Sequence, residues 1–166
     1  MSGLWVNIAL VLFFILLGSF FAAAEIALVS LRESQVERLA QRGRRGRTLA
    51  SLVRDPNRFL AAVQVGVTLA GFISAGFGAS QIAPAIAPML ESWGLSEGWA
   101  SALSFIGVTI VIAYISLVIG ELVPKRIALQ RAESTALILA GPVELLARIT
   151  RPFIWLLSIS TNALVR

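Results

Sequence analysis

The sequence predicts an all-α integral membrane protein with three transmembrane helices. Apolar residues make up 57% of its 166 residues and charged residues only 14%, against roughly 45–50% and about 25% in soluble domains. Three stretches contain no charged residue: Leu4–Ala24, Phe59–Leu90 and Gly98–Gly120. Each can cross the hydrocarbon core of a bilayer as a helix, which takes roughly 20 residues.

The charge-free runs set the approximate bounds of the spans. We expect one membrane domain over residues 1–166, with spans at about 4–30, 59–82 and 99–123. The second run is too long for one straight helix, because it would measure about 48 Å at a rise of 1.5 Å per residue. We expect this span to be broken and followed by a short helix at the outer surface. The residues that offer places to break are Gly71, Gly76, Gly78, Pro84 and Pro88.

The first span has an alternative interpretation as a cleaved signal peptide. Its Ala22–Ala24 stretch resembles a small-residue cleavage site. However, no basic residue precedes the apolar run, and the run is longer than the usual apolar core of a signal peptide, which has 7–15 residues. These features favour a permanent membrane span.

The fourteen basic residues predict the orientation. Eight arginines lie between the first two spans, six basic residues follow the third span, and none lies between the second and third spans. The positive-inside rule places the N-terminus outside and the C-terminus in the cytoplasm. We expect a multi-pass protein of the plasma (inner) membrane. Because the basic residues adjoin spans, the net charge of +5 does not indicate a nucleic acid partner.

The first cytoplasmic segment, at about 31–54, is expected to be helical, with glutamates and arginines at i,i+4 spacing. Gly43 and Gly46 are expected to interrupt it. Asp55 and Pro56 then predict a helix start, since Asp caps helices and Pro suits the first turn.

The tail, at about 133–165, is apolar but interrupted by prolines and charges. Its apolar pieces are too short to span, so we expect amphipathic juxtamembrane helices on the cytoplasmic side. The alternative is a fourth span from Phe153 onward, for which the run is short.

The residue types exclude several kinds of chemistry. Without cysteine or histidine, disulfides are impossible and a zinc or copper site lacks its usual ligands. No nucleophile–base pair with an orienting group is evident, so we expect no enzyme, no catalytic residue and no bound cofactor. A metal here would have to be bound by oxygen.

Two carboxylates, Glu25 and Glu121, lie near the cytoplasmic ends of spans. A carboxylate within a membrane is costly and indicates a functional site. The simpler alternative is ion pairing, of either glutamate with Lys125, or of Glu25 with Arg32.

Each span also carries a stripe of small or polar residues at helical spacing. Such stripes are typical helix-packing seams, but here they would also let backbones approach around a shared polar pocket. The stripes comprise Gly18, Ala22 and Glu25 on the first span, Gln64, Thr68, Gly71 and Ala75 on the second, and Ala113, Ser116 and Gly120 on the third.

The third span ends in the sequence Gly120-Glu121-Leu122-Val123-Pro124-Lys125. Pro124 has no N–H, so the carbonyl of Gly120 loses its helical donor. Water could satisfy that carbonyl in a simple proline kink, or a cation could do so beside Glu121. With the hydroxyls of Ser19, Thr68 and Ser116 and the Gln64 amide, the set suits magnesium, calcium or sodium.

The residues Phe20-Phe21 with Glu25–Leu28, the stretch Gln64–Leu69, and the Gly120–Lys125 motif resemble the transmembrane domain of the CorC/cyclin M (CNNM) magnesium transporters. The resemblance covers essentially the whole chain. It implies a homodimer that exports Mg²⁺ in exchange for Na⁺, with three spans and a belt of juxtamembrane helices in each protomer.

The resemblance also implies a Mg²⁺ site drawn from all three spans. We expect its ligands among Gly18, Ser19, Ala22, Glu25, Gln64, Ser116, Gly120 and Glu121, with structural roles for Pro124 and Lys125. This chain has Gly18 and Ala22 where many members have serine, and Val67 where many have asparagine. Backbone carbonyls are therefore expected to replace side-chain ligands on the first two spans.

Members of the family also carry cytoplasmic CBS domains that bind adenine nucleotide, which this sequence does not contain. We expect no nucleotide regulation in this chain. The alternative functions are a non-transporting membrane scaffold or cation sensor and, more remotely, a pore-forming toxin.

Overall fold

The computed structural model describes residues Ser2–Val165, which are helical apart from short turns. Three stretches are long and apolar enough to cross a membrane: Gly3–Val29, Pro56–Ser92 and Glu97–Gln130. The all-α class with three spans is thereby confirmed. The α-helices are, in chain order, α1 (Ser2–Val29), α2 (Glu33–Ala40), α3 (Arg44–Arg54), α4 (Pro56–Phe77), α5 (Ala83–Ser92), α6 (Glu97–Ile115), α7 (Val123–Gln130), α8 (Ala132–Ile149) and α9 (Arg151–Val165).

The second and third spans each contain a π-helical segment. The first π segment, Gly78–Ile82, joins α4 to α5, and the second, Ser116–Leu122, joins α6 to α7. The predicted break in the second span therefore takes the form of a π segment, with no loop between α4 and α5. In both, the helix continues past a proline, Pro84 or Pro124, because a π segment accommodates a residue that lacks an N–H.

The chain divides into two compact units. The first unit contains the chain up to Ser19 together with Thr68–Val123. Helices α5 and α6 pack closely in it, and their connection turns at Gly94, whose φ of +97° favours glycine. Its apolar core consists of Val11, Ile15, Ala83, Val108 and Ile112.

The second unit contains Phe20–Val67 and the chain from Pro124 onward. Helices α2 and α3 pack as a hairpin, and α3 packs on α8. Gly43, with a φ of +96°, lies immediately before α3 and confirms the predicted interruption. The same prediction for Gly46 is wrong, because this residue is buried within α3.

The junctions of the second unit rest on polar contacts. Glu133, in α8, accepts a hydrogen bond of 2.8 Å from the Gln35 amide and pairs with Arg38. Asp55 accepts a hydrogen bond of 3.3 Å from the backbone N–H of Arg58, as predicted for the cap of α4. Within the described part of the tail, α8 and α9 are separate helices, and neither qualifies as a fourth candidate span.

Candidate cation site

The π segment before Pro124 redirects the backbone hydrogen bonds of the third span. The N–H of Val123 donates to the carbonyl of Val118, five residues back, and not to that of Ile119. The next N–H in sequence would belong to residue 124, which is proline. The Ile119 carbonyl therefore loses its helical donor, in addition to the loss predicted for Gly120 from the sequence.

Ser19 on α1 supplies a replacement donor. Its hydroxyl donates a hydrogen bond of 3.1 Å to the carbonyl oxygen of Ile119. This bond lies within the first unit and joins the first span to the π segment of the third. The oxygen of Ser19 keeps its lone pairs and can still accept a hydrogen bond or bind a cation.

Gly120 is buried at a close approach of α1 to the third span. A Cβ added there would lie 3.4 Å from Ser116 Oγ and 3.6 Å from the Ile15 carbonyl oxygen. One oxygen atom of each of these two spans therefore lies close to Gly120. The first unit contains five of the residues predicted for the site: Gly18, Ser19, Ser116, Gly120 and Glu121.

Gly18 has a packing role in the first unit. A Cβ added to it would meet Ala70 Cβ at 3.5 Å, an ordinary contact distance. This part of the small-residue stripe therefore forms a seam between α1 and α4, as the packing alternative proposed. Glu121, one residue beyond Gly120, is partly buried and already takes part in a polar interaction.

The other predicted residues lie in the second unit: Ala22, Glu25, Gln64, Pro124 and Lys125. Glu25 forms a salt bridge of 3.5 Å with Lys125, and both side chains are about one-third exposed. This is one of the two pairings proposed for Glu25 from the sequence. Gln64 is exposed and has a polar partner.

Most of the candidate ligand atoms for a cation are neutral oxygens. Within residues 2–165, no three acidic side chains come together in a way that could hold a metal ion. A cation in the first unit would therefore depend on carbonyl and hydroxyl oxygens with at most one carboxylate. The carbonyls of Ile119 and Ile15 were missed in the sequence analysis, although the proline at position 124 was a signal for the first.

The Glu25–Lys125 pair can be tested by substitution. Lys125→Met is expected to destabilise the protein by about 1–2 kcal/mol, between the values for exposed and buried pairs, because Glu25 is left without its partner. Thermal unfolding in detergent measures the loss. The double variant Glu25→Gln/Lys125→Met should recover most of it. Equal losses in the single and double variants would show that the pair contributes nothing.

Residues 9–166 match the cyclin M transmembrane N-terminal domain family. The chain belongs to this family. A UPF0053 protein of Synechocystis sp. is 42% identical over 96% of the chain, and the UPF0053 protein YhdT of Bacillus subtilis is 34% identical over 90% of it. A relative named polyamine export protein, from Haemophilus influenzae, is 29% identical over 87% of the chain.

The chain spans about a third of the length of these relatives, with 37%, 33% and 34% of each covered. Membership of the cyclin M family, together with the three candidate spans, makes the chain a multi-pass membrane domain.

Proposed function

We propose that this cyclin M domain exports Mg²⁺ across the plasma membrane, as a homodimer and in exchange for Na⁺. The hydrogen bond from Ser19 to the Ile119 carbonyl, beside the glutamate of the third span, supports the proposal most directly. It marks a carbonyl of the third candidate span whose helical donor has been lost. The proposed ligands are the oxygens of Ser19, Ser116, Ile119, Gly120 and Glu121, all of the first unit.

The ligand chemistry favours a hard cation. Mg²⁺ takes oxygen ligands, sheds its water reluctantly and is commonly held by one or two carboxylates with several retained waters. Glu121 supplies one carboxylate, and hydroxyls and carbonyls can bind the ion directly or through its water. A transition metal would favour nitrogen or sulfur ligands, and the sequence has neither histidine nor cysteine.

The Ser19–Ile119 hydrogen bond offers a way to couple ion binding to a change in helix packing. A cation bound to the Ile119 carbonyl competes with the Ser19 hydroxyl for the same oxygen. Loading would then break a bond between the first span and the π segment, while unloading would restore it. Ion binding is thereby coupled to the packing of two spans. Because Glu121 follows Gly120 toward the arginine-rich side, the site would load from the cytoplasm.

Polyamine export is the second candidate, supported by the name of the Haemophilus influenzae relative. A polyamine carries several separated positive charges and would need several carboxylates along its length. Of the acidic residues near the spans, Glu25 is already paired with Lys125. The arrangement therefore favours a single small cation.

Ion flux in sealed liposomes tests the proposal. We expect Mg²⁺ movement that rises with an opposing Na⁺ gradient and is lost in Glu121→Ala. Ser19→Ala should slow it about tenfold, the effect of one hydrogen bond or ligand to a charged group. The matched control is Ser80→Ala, since Ser80 is exposed and bonds the Phe77 carbonyl of its own helical turn at 3.3 Å.

A thermal shift assay provides an independent measurement. Millimolar Mg²⁺ should raise the unfolding temperature of the purified chain by mass action, and Glu121→Ala should abolish the shift. Spermidine flux without Mg²⁺ flux would favour the polyamine candidate. If neither cation moves and neither shifts unfolding, the scaffold alternative is the better account.

A further inference from the structure

The second unit contains a cavity of about 260 Å³ between α3 and α8 that the proposed transport site does not use. Three arginines line it: Arg44 and Arg45 are the first two residues of α3, and Arg148 lies in the last turn of α8. Because α3 packs on α8, arginines of two helices meet around one space. The cavity therefore concentrates positive charge.

One carboxylate, that of Glu144, also lines the cavity. It is already compensated, because it pairs with Arg58 at 3.4 Å and with Arg148 at 3.6 Å. No acidic side chain of the described residues forms an ion pair with Arg44 or Arg45, and both arginines are exposed. The cavity therefore keeps a net positive charge with which an anion can pair.

An apolar stripe on α8 adjoins the arginines. Leu145 lines the cavity, and Ile138 and Ile149 lie seven residues before it and four after it. All three side chains are more than half exposed. At about 100° of helix per residue, they lie within about 40° of one another, and Arg148 lies about 60° from Leu145. The surface thus offers cationic and apolar groups side by side.

We propose that this cavity binds an anionic phospholipid, with the phosphate held between Arg148 and the arginines of α3 and the acyl chains along the apolar stripe. Arginine suits phosphate because its planar guanidinium donates two parallel hydrogen bonds. Basic pockets at the membrane surface typically bind lipid headgroups. Helix α3 has 11 residues, or a length of about 16 Å, and ends one residue before the second candidate span begins. Its arginines therefore stay within reach of the headgroup layer.

Two other occupants match the surface less well. A soluble phosphate compound would use the arginines and leave the exposed apolar stripe uncovered. A second copy of the chain, docked on this surface by two-fold symmetry, would bring the arginines of the two copies face to face. A phospholipid covers the cationic and the apolar part at once. The inference does not depend on which ion the domain carries.

Lipid binding to the purified chain in neutral detergent tests the site. Native mass spectrometry measures the fraction of the chain that retains a lipid as the lipid concentration is raised. We expect phosphatidylglycerol to bind about tenfold more tightly than phosphatidylcholine, because the arginines repel the choline cation. Arg44→Gln/Arg45→Gln should weaken phosphatidylglycerol binding by about tenfold to thirtyfold, the scale for two basic residues near an anionic surface.

The matched control is Arg42→Gln/Arg47→Gln. These two arginines lie in the same α2–α3 hairpin, are exposed and do not line the cavity. The control removes the same charge and should change binding by less than about threefold in about 0.15 M salt, which screens distant charges. Should the first double variant not fold, Arg148→Gln removes one arginine of the cavity while Glu144 keeps Arg58.

The apolar stripe has its own test. Leu145→Gln should weaken phosphatidylglycerol binding by about threefold to tenfold, because an exposed leucine that the acyl chains would cover becomes polar. It should leave the binding of inorganic phosphate, measured by calorimetry, unchanged. Leu156→Gln changes a similarly exposed leucine of α9 that does not line the cavity, and it should leave lipid binding unchanged.

Four results would overturn the proposal. Equal losses of binding in the two double arginine variants would indicate a diffuse attraction of the basic hairpin for anionic lipid. Equal retention of phosphatidylglycerol and phosphatidylcholine would show that the charge of the lipid is not recognised. Inorganic phosphate that competes as well as the lipid, with no effect of Leu145→Gln, would make this a site for a soluble phosphate compound. Retention of neither lipid would leave the arginines of the cavity without a lipid partner.

Discussion

Gly46→Ala is expected to disrupt the α2–α3 hairpin and to cause a large loss of stability. A Cβ at this position would lie 1.7 Å from the Leu39 carbonyl oxygen and 2.6 Å from its carbon. Both atoms belong to backbone and cannot move aside as a side-chain end can. Overpacking of a core by methylenes typically costs about 1–3 kcal/mol, and a clash with backbone should reach or exceed about 3 kcal/mol on that scale.

The effect should extend beyond the hairpin. Leu39 and Leu49 are fully buried beside the contact, and α3 also packs on α8. Separation of α2 from α3 would therefore weaken the bonds of Gln35 and Arg38 to Glu133 as well. Because several contacts fail together, the variant should unfold at a markedly lower temperature.

Thermal unfolding in detergent measures this loss. The matched control is Gly76→Ala, because a Cβ there meets nothing within 4 Å. In the control, alanine replaces glycine within a helix and should be neutral or slightly stabilising. Unfolding of Gly46→Ala within a degree or two of the parent would show that α2 and α3 do not pack this closely in the folded protein.

Two glycines of the first cytoplasmic segment show what a sequence pattern can and cannot predict. Gly43 and Gly46 both suggested a break, because glycine disfavours helix interiors. Gly43 does break the helix, with a positive φ. Gly46 lies within α3, where the absence of a side chain lets the backbone of Leu39 approach it. Local sequence does not encode which of two glycines meets another chain segment, since that depends on tertiary packing.

The spans were predictable for a different reason. A helix that crosses a bilayer needs a long stretch without charged residues. The three charge-free stretches could therefore be identified from composition alone, and each lies in a candidate span of the structure. The π segments could not be predicted from the sequence. A proline indicates that one N–H is missing, but it does not specify how the helix adjusts to the loss. The adjustment at Pro124 determines which carbonyl loses its donor, so Gly120 was predicted and Ile119 was missed.

The same adjustment occurs in the second span. There the N–H of Ala83, the residue before Pro84, donates to the Gly78 carbonyl five residues back. Val123 and Val118 repeat this geometry before Pro124. The two π segments differ in their hydrogen bonds to serine. Ser19 of α1 donates a hydrogen bond to the π segment of the third span. In the second span, Ser80 donates a hydrogen bond to a carbonyl of its own helical turn. This difference supplies a control for the site.

Pro124→Ala is expected to raise stability and to reduce Mg²⁺ flux at the same time. Alanine restores an N–H that can donate to a carbonyl of the π segment. It also removes a residue that costs about 3 kcal/mol in a helix interior. If the carbonyls of Ile119 and Gly120 are ligands, a new donor occupies one of them, and flux should fall by more than about tenfold, the scale for a hydrogen bond to a charged group.

Opposite changes in two measurements make the test specific. Unfolding temperature and liposome flux are compared for Pro124→Ala and for Pro84→Ala, which removes the proline of the other π segment. We expect both variants to gain stability and only Pro124→Ala to lose flux. A stable Pro124→Ala variant with normal flux would show that the carbonyls without a helical donor are a consequence of helix geometry and bind no ion. Equal losses of flux in both variants would indicate that transport depends on the flexibility of the π segments and not on the oxygens near Ser19.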